Sequence, residues 1–127
     1  MVKKEFTFKG KTVAQLKAMS VNEFGQLIPS KERRHLKRGF TDAEKKFLKE
    51  IRAGANNIKT HCRDIIILPE MIGALMKVYN GKEFLPLTVT EEMLGHRLGE
   101  FALTRRPVRH GAAGIGATRG TAHQSVR

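Results

Sequence analysis

Apolar residues in the first part of the chain recur at helical spacing in short runs. Between residues 11 and 19 they follow one another three positions apart, at Val13, Leu16 and Met19. This spacing predicts a helix with one narrow apolar face. A second run over Val21–Ile28 also carries its apolar residues on one face and ends before Pro29, which cannot continue a helix. Helices this short are marginal alone, so we expect each to dock on the rest of the protein.

Capping residues delimit two of these helices. Ser20 precedes Glu23 by three positions, and Thr41 stands in the same relation to Glu44. In such a capping box, each side chain satisfies a backbone amide that the first helical turn leaves free. The second box predicts a helix that ends before Gly54, because glycine commonly follows the last helical residue.

Period-two alternation replaces the helical pattern from Ile58 onwards. Apolar or small residues alternate with polar ones over the next positions, which predicts a half-exposed strand running towards Ile67. Two further β-rich runs flank Asn80 and Gly81, a pair that tolerates the positive φ angles of a two-residue type I′ turn. Pro86 lies within the second run, and its missing amide donor predicts an edge strand or a bulge there.

Two further helical features complete the predicted elements. Residues 69–73 favour a tight helical turn, and Thr90 is placed to cap a short helix whose apolar face has i, i+4, i+7 spacing, at Leu94, Leu98 and Phe101. The pattern predicts an α+β fold with a small three-stranded sheet and short helices. We divide the chain into a helical basic N-terminal extension, an α+β core, and an extended Gly/Arg-rich tail, at 1–57, 58–103 and 104–127.

Net charge changes the functional picture. The chain has 127 residues, with 24 Lys and Arg against 12 Asp and Glu, a formal charge of +12 and a pI near 10.4. Such an excess attracts polyanions, of which nucleic acid and an anionic membrane surface are the obvious kinds. No apolar run approaches the roughly 20 residues of a membrane span, and the first residues do not resemble a signal peptide. With one cysteine, we expect a soluble protein of the cytoplasm.

The densest cationic stretch lies on a predicted helix between Ser30 and Gly39. Four of its residues gather on one side at i,i+4 spacing: Arg33, Arg34, Lys37 and Arg38. Like charges so placed weaken a helix by tenths of a kcal/mol each. A phosphate backbone would convert this penalty into binding energy through counterion release. We therefore expect these four residues to bind RNA.

The last 24 residues carry five arginines, four glycines and no acidic residue. Glycine lets the backbone approach a ligand closely, and arginine pairs with phosphate and stacks on unpaired bases. We expect this segment to order only when it lies in an RNA groove.

Catalytic and metal chemistry find no support in the sequence. Cys62 and His61 lack the ligand spacing of a zinc site, and the glycines of 111–116 follow no strand, as a dinucleotide fingerprint requires. We therefore expect no enzyme activity, cofactor or metal. With one tyrosine, seven phenylalanines and no tryptophan, an aromatic stacking surface is also not expected. Recognition of folded RNA by shape fits best, with a dimeric DNA-binding regulator and a binder of acidic proteins or membrane surfaces as alternatives.

A specific motif then points to one family. The stretch "NGKEFLPLTVTEEMLGHRLGEFALT" from Asn80 and "IILPEMIG" at Ile66–Gly73 resemble the signature of the universal small-subunit ribosomal protein family nineteen, called fifteen in older eukaryotic naming. The resemblance covers nearly all of residues 58–119. The helical first region and "PVRHGAAGIGATR" resemble the archaeal and eukaryotic branch.

The resemblance implies a structural protein in the head of the small subunit, bound to the 3′ major domain of its RNA. It also implies family thirteen as a protein neighbour, a nearby bridge to the large subunit, and a tail directed towards transfer RNA; a homo-oligomer is not expected. The implied contacts are a hairpin tip at Asn80, Gly81 and Lys82, a close-approach helix at Gly95, His96, Arg97 and Gly99, and tail residues Arg105, Arg106, Arg109, His110 and Arg119. Arg63, at an exposed position of the first predicted strand, is a further candidate.

Overall fold

The computed structural model describes residues 4–109 and 111 and confirms an α+β fold around a small three-stranded sheet. The helices are α1 (Val13–Ala18), α2 (Val21–Leu27), α3 (Ser30–Arg38) and α4 (Asp42–Arg52). The strands are β1 (Thr7–Phe8), β2 (Lys11–Thr12), β3 (Ile58–Thr60), β4 (Leu75–Tyr79) and β5 (Phe84–Thr88). Three 3₁₀ turns lie at Pro69–Met71, Glu91–Met93 and Leu98–Phe101.

The predicted capping boxes set the helix starts. The Ser20 hydroxyl accepts from the amide of Glu23 at 3.3 Å, and the Glu23 carboxylate accepts from the Ser20 amide at 2.9 Å. Thr41 and Glu44 make the same reciprocal pair at the start of α4. Gly39 ends α3 with a φ of +83°. Each cap joins neighbours in sequence, and each is confirmed.

The main sheet has the order β3–β4–β5, with β3 parallel and β5 antiparallel to β4. Pro86 lies opposite Lys77 on β5, which is an edge strand of this sheet. The position predicted for a residue without an amide donor is therefore confirmed.

The predicted hairpin around Asn80 and Gly81 is confirmed by the antiparallel pairing of β4 with β5, but its predicted two-residue turn is wrong. Tyr79 pairs with Phe84, so the loop has four residues, and the Asn80 side-chain oxygen accepts from the amides of Lys82 and Glu83 at 3.0 and 2.8 Å. This side-chain bonding replaces the backbone geometry of a type I′ turn, and within the loop Gly81 takes the positive φ.

A two-residue turn instead joins β1 to β2, a hairpin that the sequence pattern did not predict. Phe8 pairs with Lys11, and the two residues between them, Lys9 and Gly10, have φ angles of +50° and +78°. Positive φ at both central positions is what a type I′ turn requires.

The first main strand is shorter than predicted, and Cys62 lies beyond it. β3 ends at Thr60, whose hydroxyl accepts from the amide of Cys62 at 3.0 Å. This local bond turns the chain out of the ladder. The apolar run that follows crosses the core as irregular backbone, with Ile66 making an isolated bridge to Arg97.

The helix predicted from Thr90 is likewise wrong. Gly95 has a φ of +78° and separates two 3₁₀ turns. The amide of Gly95 donates to the Ile67 carbonyl at 3.3 Å, and the Ile67 amide donates to His96 at 2.8 Å. Tertiary bonds to the buried run therefore replace the helical ladder, while Leu94 and Leu98 are buried as the spacing predicted.

A single hydrophobic cluster joins the helices to the sheet. Its most buried members come from both parts of the described chain, including Leu16, Phe24, Ile65, Ile66, Ile67, Met71, Met76, Val78 and Leu98. At its rim Arg52, at the end of α4, makes two 3.0 Å hydrogen bonds to Glu70. The division at 57 and 103 stays a prediction. Among the described residues, no helix has the length and apolarity to cross a membrane.

Candidate RNA interface

Helix α3 presents its cations on the side away from the core. Leu36 is buried, whereas Arg34, Lys37 and Arg38 are exposed. None of these three side chains forms an ion pair with another described residue. The arrangement leaves positive charge facing solvent along the helix.

Arg33 does not join this exposed group. Its Nε donates to the carbonyl of Gly25 at 3.1 Å, and its Nη2 donates to Gln26 and Ile28, each at 3.2 Å. These carbonyls lie at the C-terminal end of α2, where backbone acceptors and the helix dipole favour a cation. Arg33 thus fastens α3 to α2, and its role as an RNA contact stays a prediction.

Two carboxylates lie close to nitrogens on other sides of α3, without forming a hydrogen bond to them. Glu32 lies 3.9 Å from Nε of Arg97, and His35 Nε2 lies 3.3 Å from the buried carboxylate of Glu44. Arg97 also donates from Nη1 to the Asp64 carbonyl at 2.9 Å. The hydrogen-bonded brace of α3 is therefore Arg33, and Arg97 is engaged within the protein through its Nη1.

Arg63, like Arg33 and Arg97, is a predicted contact whose guanidinium is engaged within the protein. Its Nη1 donates to the Tyr79 carbonyl at 2.6 Å, and its Nη2 donates to Gly99 and Ala102, both at 2.7 Å. These bonds tie the end of β4 to the last 3₁₀ turn. A planar fork of donors suits three acceptors spread in this way.

Gly95 and Gly99 approach protein, although the resemblance implies close approach to RNA. A Cβ on Gly99 would lie 3.0 Å from Cβ and 3.1 Å from the carbonyl oxygen of Arg63, which is closer than side chains pack. A Cβ on Gly95 would lie 3.2 Å from Ile28, on a backbone of positive φ. Internal packing alone accounts for both glycines.

Between these glycines His96 is exposed, and its Nδ1 lies 2.9 Å from Glu100. Its ring also meets Phe101 edge-on, with the centroids 5.9 Å apart. His96 is therefore accessible to a ligand, on a connector between two 3₁₀ turns and not on a helix.

At the hairpin tip, the three predicted contacts have different roles. The side-chain oxygen of Asn80 accepts hydrogen bonds from the loop amides, Gly81 has a positive φ, and Lys82 is exposed. Glu83 beside them accepts a hydrogen bond from Arg106. The beginning of the tail therefore reaches the hairpin tip.

The described part of the tail is exposed. Arg105 and Arg109 carry solvent-facing guanidiniums, as does Arg106 apart from its contact with Glu83. His110 and Arg119, also predicted contacts, lie outside the described residues.

Sequence reasoning missed an aromatic cluster on the sheet. His61, Tyr79 and Phe84 lie with ring centroids 4.5 to 5.2 Å apart, although the composition indicated no stacking surface. The signal lay in strand alternation, since inward Ile58 and Val78 imply outward neighbours.

No cluster of three or more potential metal ligands occurs among the residues the structure describes. Away from the exposed cations, hydrogen bonding to Glu70 and its negative charge raise the pKa of Arg52.

Comparison with known proteins identifies the family. The family model described as "Ribosomal protein S19" matches residues 34–110. The small ribosomal subunit protein uS19 of Methanococcoides burtonii is 54% identical over 117 residues, which cover 92% of this chain and 85% of that protein. The protein of the same name from Methanocella arvoryzae is 50% identical over 125 residues, covering 98% and 89%. The chain that carries these braced helices and exposed cations therefore belongs to the ribosomal protein S19 family.

Proposed function

We propose that this chain is a structural, non-enzymatic protein of the small ribosomal subunit that binds the 3′ major domain of the small-subunit RNA in the head. The observation that carries the proposal is the exposed row on α3, Arg34, Lys37 and Arg38, which no described carboxylate neutralises. Because the chain's relatives are named as small ribosomal subunit proteins, ribosomal RNA is the partner whose phosphates would neutralise this row. On this basis the chain acts in the cytoplasm, on the ribosome.

In this mechanism, arginines that point inward stabilise the fold, and cations that point outward contact RNA. Arg33, Arg63 and Arg97 donate to backbone carbonyls and hold the helices, hairpin and 3₁₀ turns together. The outward cations then meet RNA on a frame that needs little reorganisation, so less free energy is lost on ordering side chains. Each phosphate contact releases counterions and contributes about −0.7 to −0.9 to the salt slope of binding.

Several finer contacts belong to the same proposal. Lys82 at the hairpin tip, His96 on its connector, Arg105 and Arg109 are exposed, which supports counting them among the RNA contacts. The tail would continue towards transfer RNA and the decoding region. A protein of family thirteen in the head would be the main protein neighbour, near the bridge to the large subunit.

Binding selectivity tests the proposal directly. The full chain is titrated with a transcript of the 3′ major domain and with duplex DNA of equal length, at about 0.15 M salt, where weak surface electrostatics are screened. We expect tighter binding to the transcript, and crosslinks from α3 and the tail to this RNA in purified subunits. Equal affinity for both nucleic acids, with no such crosslinks, would favour the DNA-binding alternative.

A further inference from the structure

One face of the three-stranded sheet combines aromatic rings with uncompensated lysines. We define this outer sheet face as the residues that alternate outward from β3, β4 and β5 and from the residue just after β3: Lys59, His61, Leu75, Lys77, Tyr79, Phe84, Pro86 and Thr88. Its rings form a compact group, with His61 4.5 Å from Tyr79 and Tyr79 5.0 Å from Phe84, measured between centroids.

Phe84 has no role in the hydrophobic core. Of the seven phenylalanines, Phe24 and Phe47 are buried in the cluster, and four more pack against it: Phe6, Phe8, Phe40 and Phe101. Phe84 is the exception, on the solvent side of an edge strand whose inward residues, Leu85 and Leu87, do contact the core. Core packing therefore does not explain an aromatic residue at this position.

The charge on the same face is of one sign. Lys59 lies directly opposite Lys77 in the register of β3 and β4, and like charges in that relation destabilise a sheet. The outer sheet face contains no carboxylate, and neither lysine forms an ion pair with a described residue. An anionic ligand would remove this repulsion.

Rings and lysines together fit an unpaired nucleotide better than a duplex. Every base has a face that stacks on an aromatic ring, whereas a paired helix offers phosphates and hides those faces. The Tyr79 ring is held by a 2.9 Å hydrogen bond from its hydroxyl to the Gly81 carbonyl. Lys59 Nζ lies over the Phe84 ring, 5.6 Å from its centroid. A base that stacks on this ring face would displace the ammonium, which could then contact the adjoining phosphate.

We propose that the outer sheet face binds an unpaired segment of RNA by stacking one base on the Tyr79 ring and another on the Phe84 ring, which is tilted by 47° to it, with Lys59 and Lys77 on the adjoining phosphates. The inference rests on the proposed function for the class of its ligand. It adds base stacking, at a separate surface, to the phosphate contacts of α3.

The chain contains its own reporter for this site. Tyr79 is the only tyrosine, and there is no tryptophan, so a base stacked at the outer sheet face should quench the tyrosine emission of the full chain. Two probes are titrated, a short oligoadenylate and an RNA duplex of equal length without unpaired bases. We expect quenching by the oligoadenylate and none by the duplex.

Phe84 variants separate stacking from charge. Phe84→Leu keeps an apolar side chain and should weaken binding of labelled oligoadenylate by at least about fivefold, whereas Phe84→Tyr keeps the ring and should bind as the native chain does. Both should bind the duplex unchanged, and thermal unfolding confirms that both fold.

Unchanged oligoadenylate binding by Phe84→Leu, or the absence of tyrosine quenching, overturns the stacking site. A protein partner would then be the better occupant of this face. Because α3 is not altered in either variant, that result leaves the proposed function intact if the native chain still prefers the ribosomal transcript. Failure to bind the transcript would instead contradict the proposed function itself.

Discussion

At the scale of single residues, some described arginines donate to backbone carbonyls within the protein and others face solvent. Arg63 contributes three short hydrogen bonds to backbone carbonyls of distant segments, whereas Arg34 faces solvent. Replacing Arg63 with Ala leaves carbonyls of the last 3₁₀ turn without a donor. We expect this to lower the free energy of unfolding by about 2 to 4 kcal/mol, measured by urea denaturation. Arg34→Ala is the matched control and should change it by less than about 0.5 kcal/mol.

Gly99 permits a test of internal packing against approach to RNA. Its missing Cβ would collide with the backbone and side chain of Arg63, so Gly99→Ala should cost about 1 to 3 kcal/mol of stability. RNA affinity of the folded protein should stay unchanged in filter binding. Gly111→Ala, where a Cβ meets open space, serves as control. Lost RNA affinity at native stability would show that Gly99 faces the RNA.

The same residues show why the site was only partly predictable. The exposed cations of α3 follow from helical periodicity, because a helix this polar buries only Leu36. The inward turn of Arg33 and Arg63 does not, since their acceptors belong to other segments, up to 39 positions away. The proximity of the Tyr79 and Phe84 rings depends on the register of β4 against β5, which composition cannot supply.

At the scale of elements, α3 is the part of the proposed interface most open to measurement. Replacing Arg34, Lys37 and Arg38 together with Gln removes three outward charges and leaves the inward bonds of Arg33 in place. The slope of log affinity against log salt for the ribosomal transcript should become shallower by about 2 to 3. Helicity should be kept or slightly increased, because like-charge repulsion is removed.

Arg33→Gln is the control for that triple variant. It should lower stability by about 1 to 3 kcal/mol, since three carbonyls lose a charged donor, while the salt slope of the folded protein stays as it was. A triple variant with the native slope would contradict the assignment of α3 to the interface.

An element could be predicted from the sequence when the hydrogen bonds that define it join residues close together in the chain. The capping boxes of α2 and α4 join residues three positions apart, so sequence alone placed both helices. The strand towards Ile67 and the helix after Thr90 were wrong because the backbone of each bonds to the other. Ile67 exchanges hydrogen bonds with Gly95 and His96, a pairing that neither local pattern contains.

At the scale of the whole molecule, the net charge of +12 is divided between the folded part of the chain and the predicted tail. The last buried residue of the described chain is Ala102, and its carbonyl accepts from Arg63. Leu103 and Val108 beyond it are 71% and 73% exposed. Among the described residues, burial therefore ends at Ala102, next to the predicted boundary at 103, and five arginines follow it in the sequence.

Two truncations test this boundary. Removing residues 104–127 retains Ala102 and should change the unfolding free energy by less than about 0.5 kcal/mol, while five lost arginines lower RNA affinity and flatten its salt dependence by up to about 4. The shortened protein should enter small subunits whose affinity for transfer RNA is reduced. Removing 102–127 also takes away an acceptor of Arg63, and this variant should lose stability measurably. If the shorter deletion already prevented folding, the tail would be part of the frame, and its proposed role as a separate RNA-binding arm would be wrong.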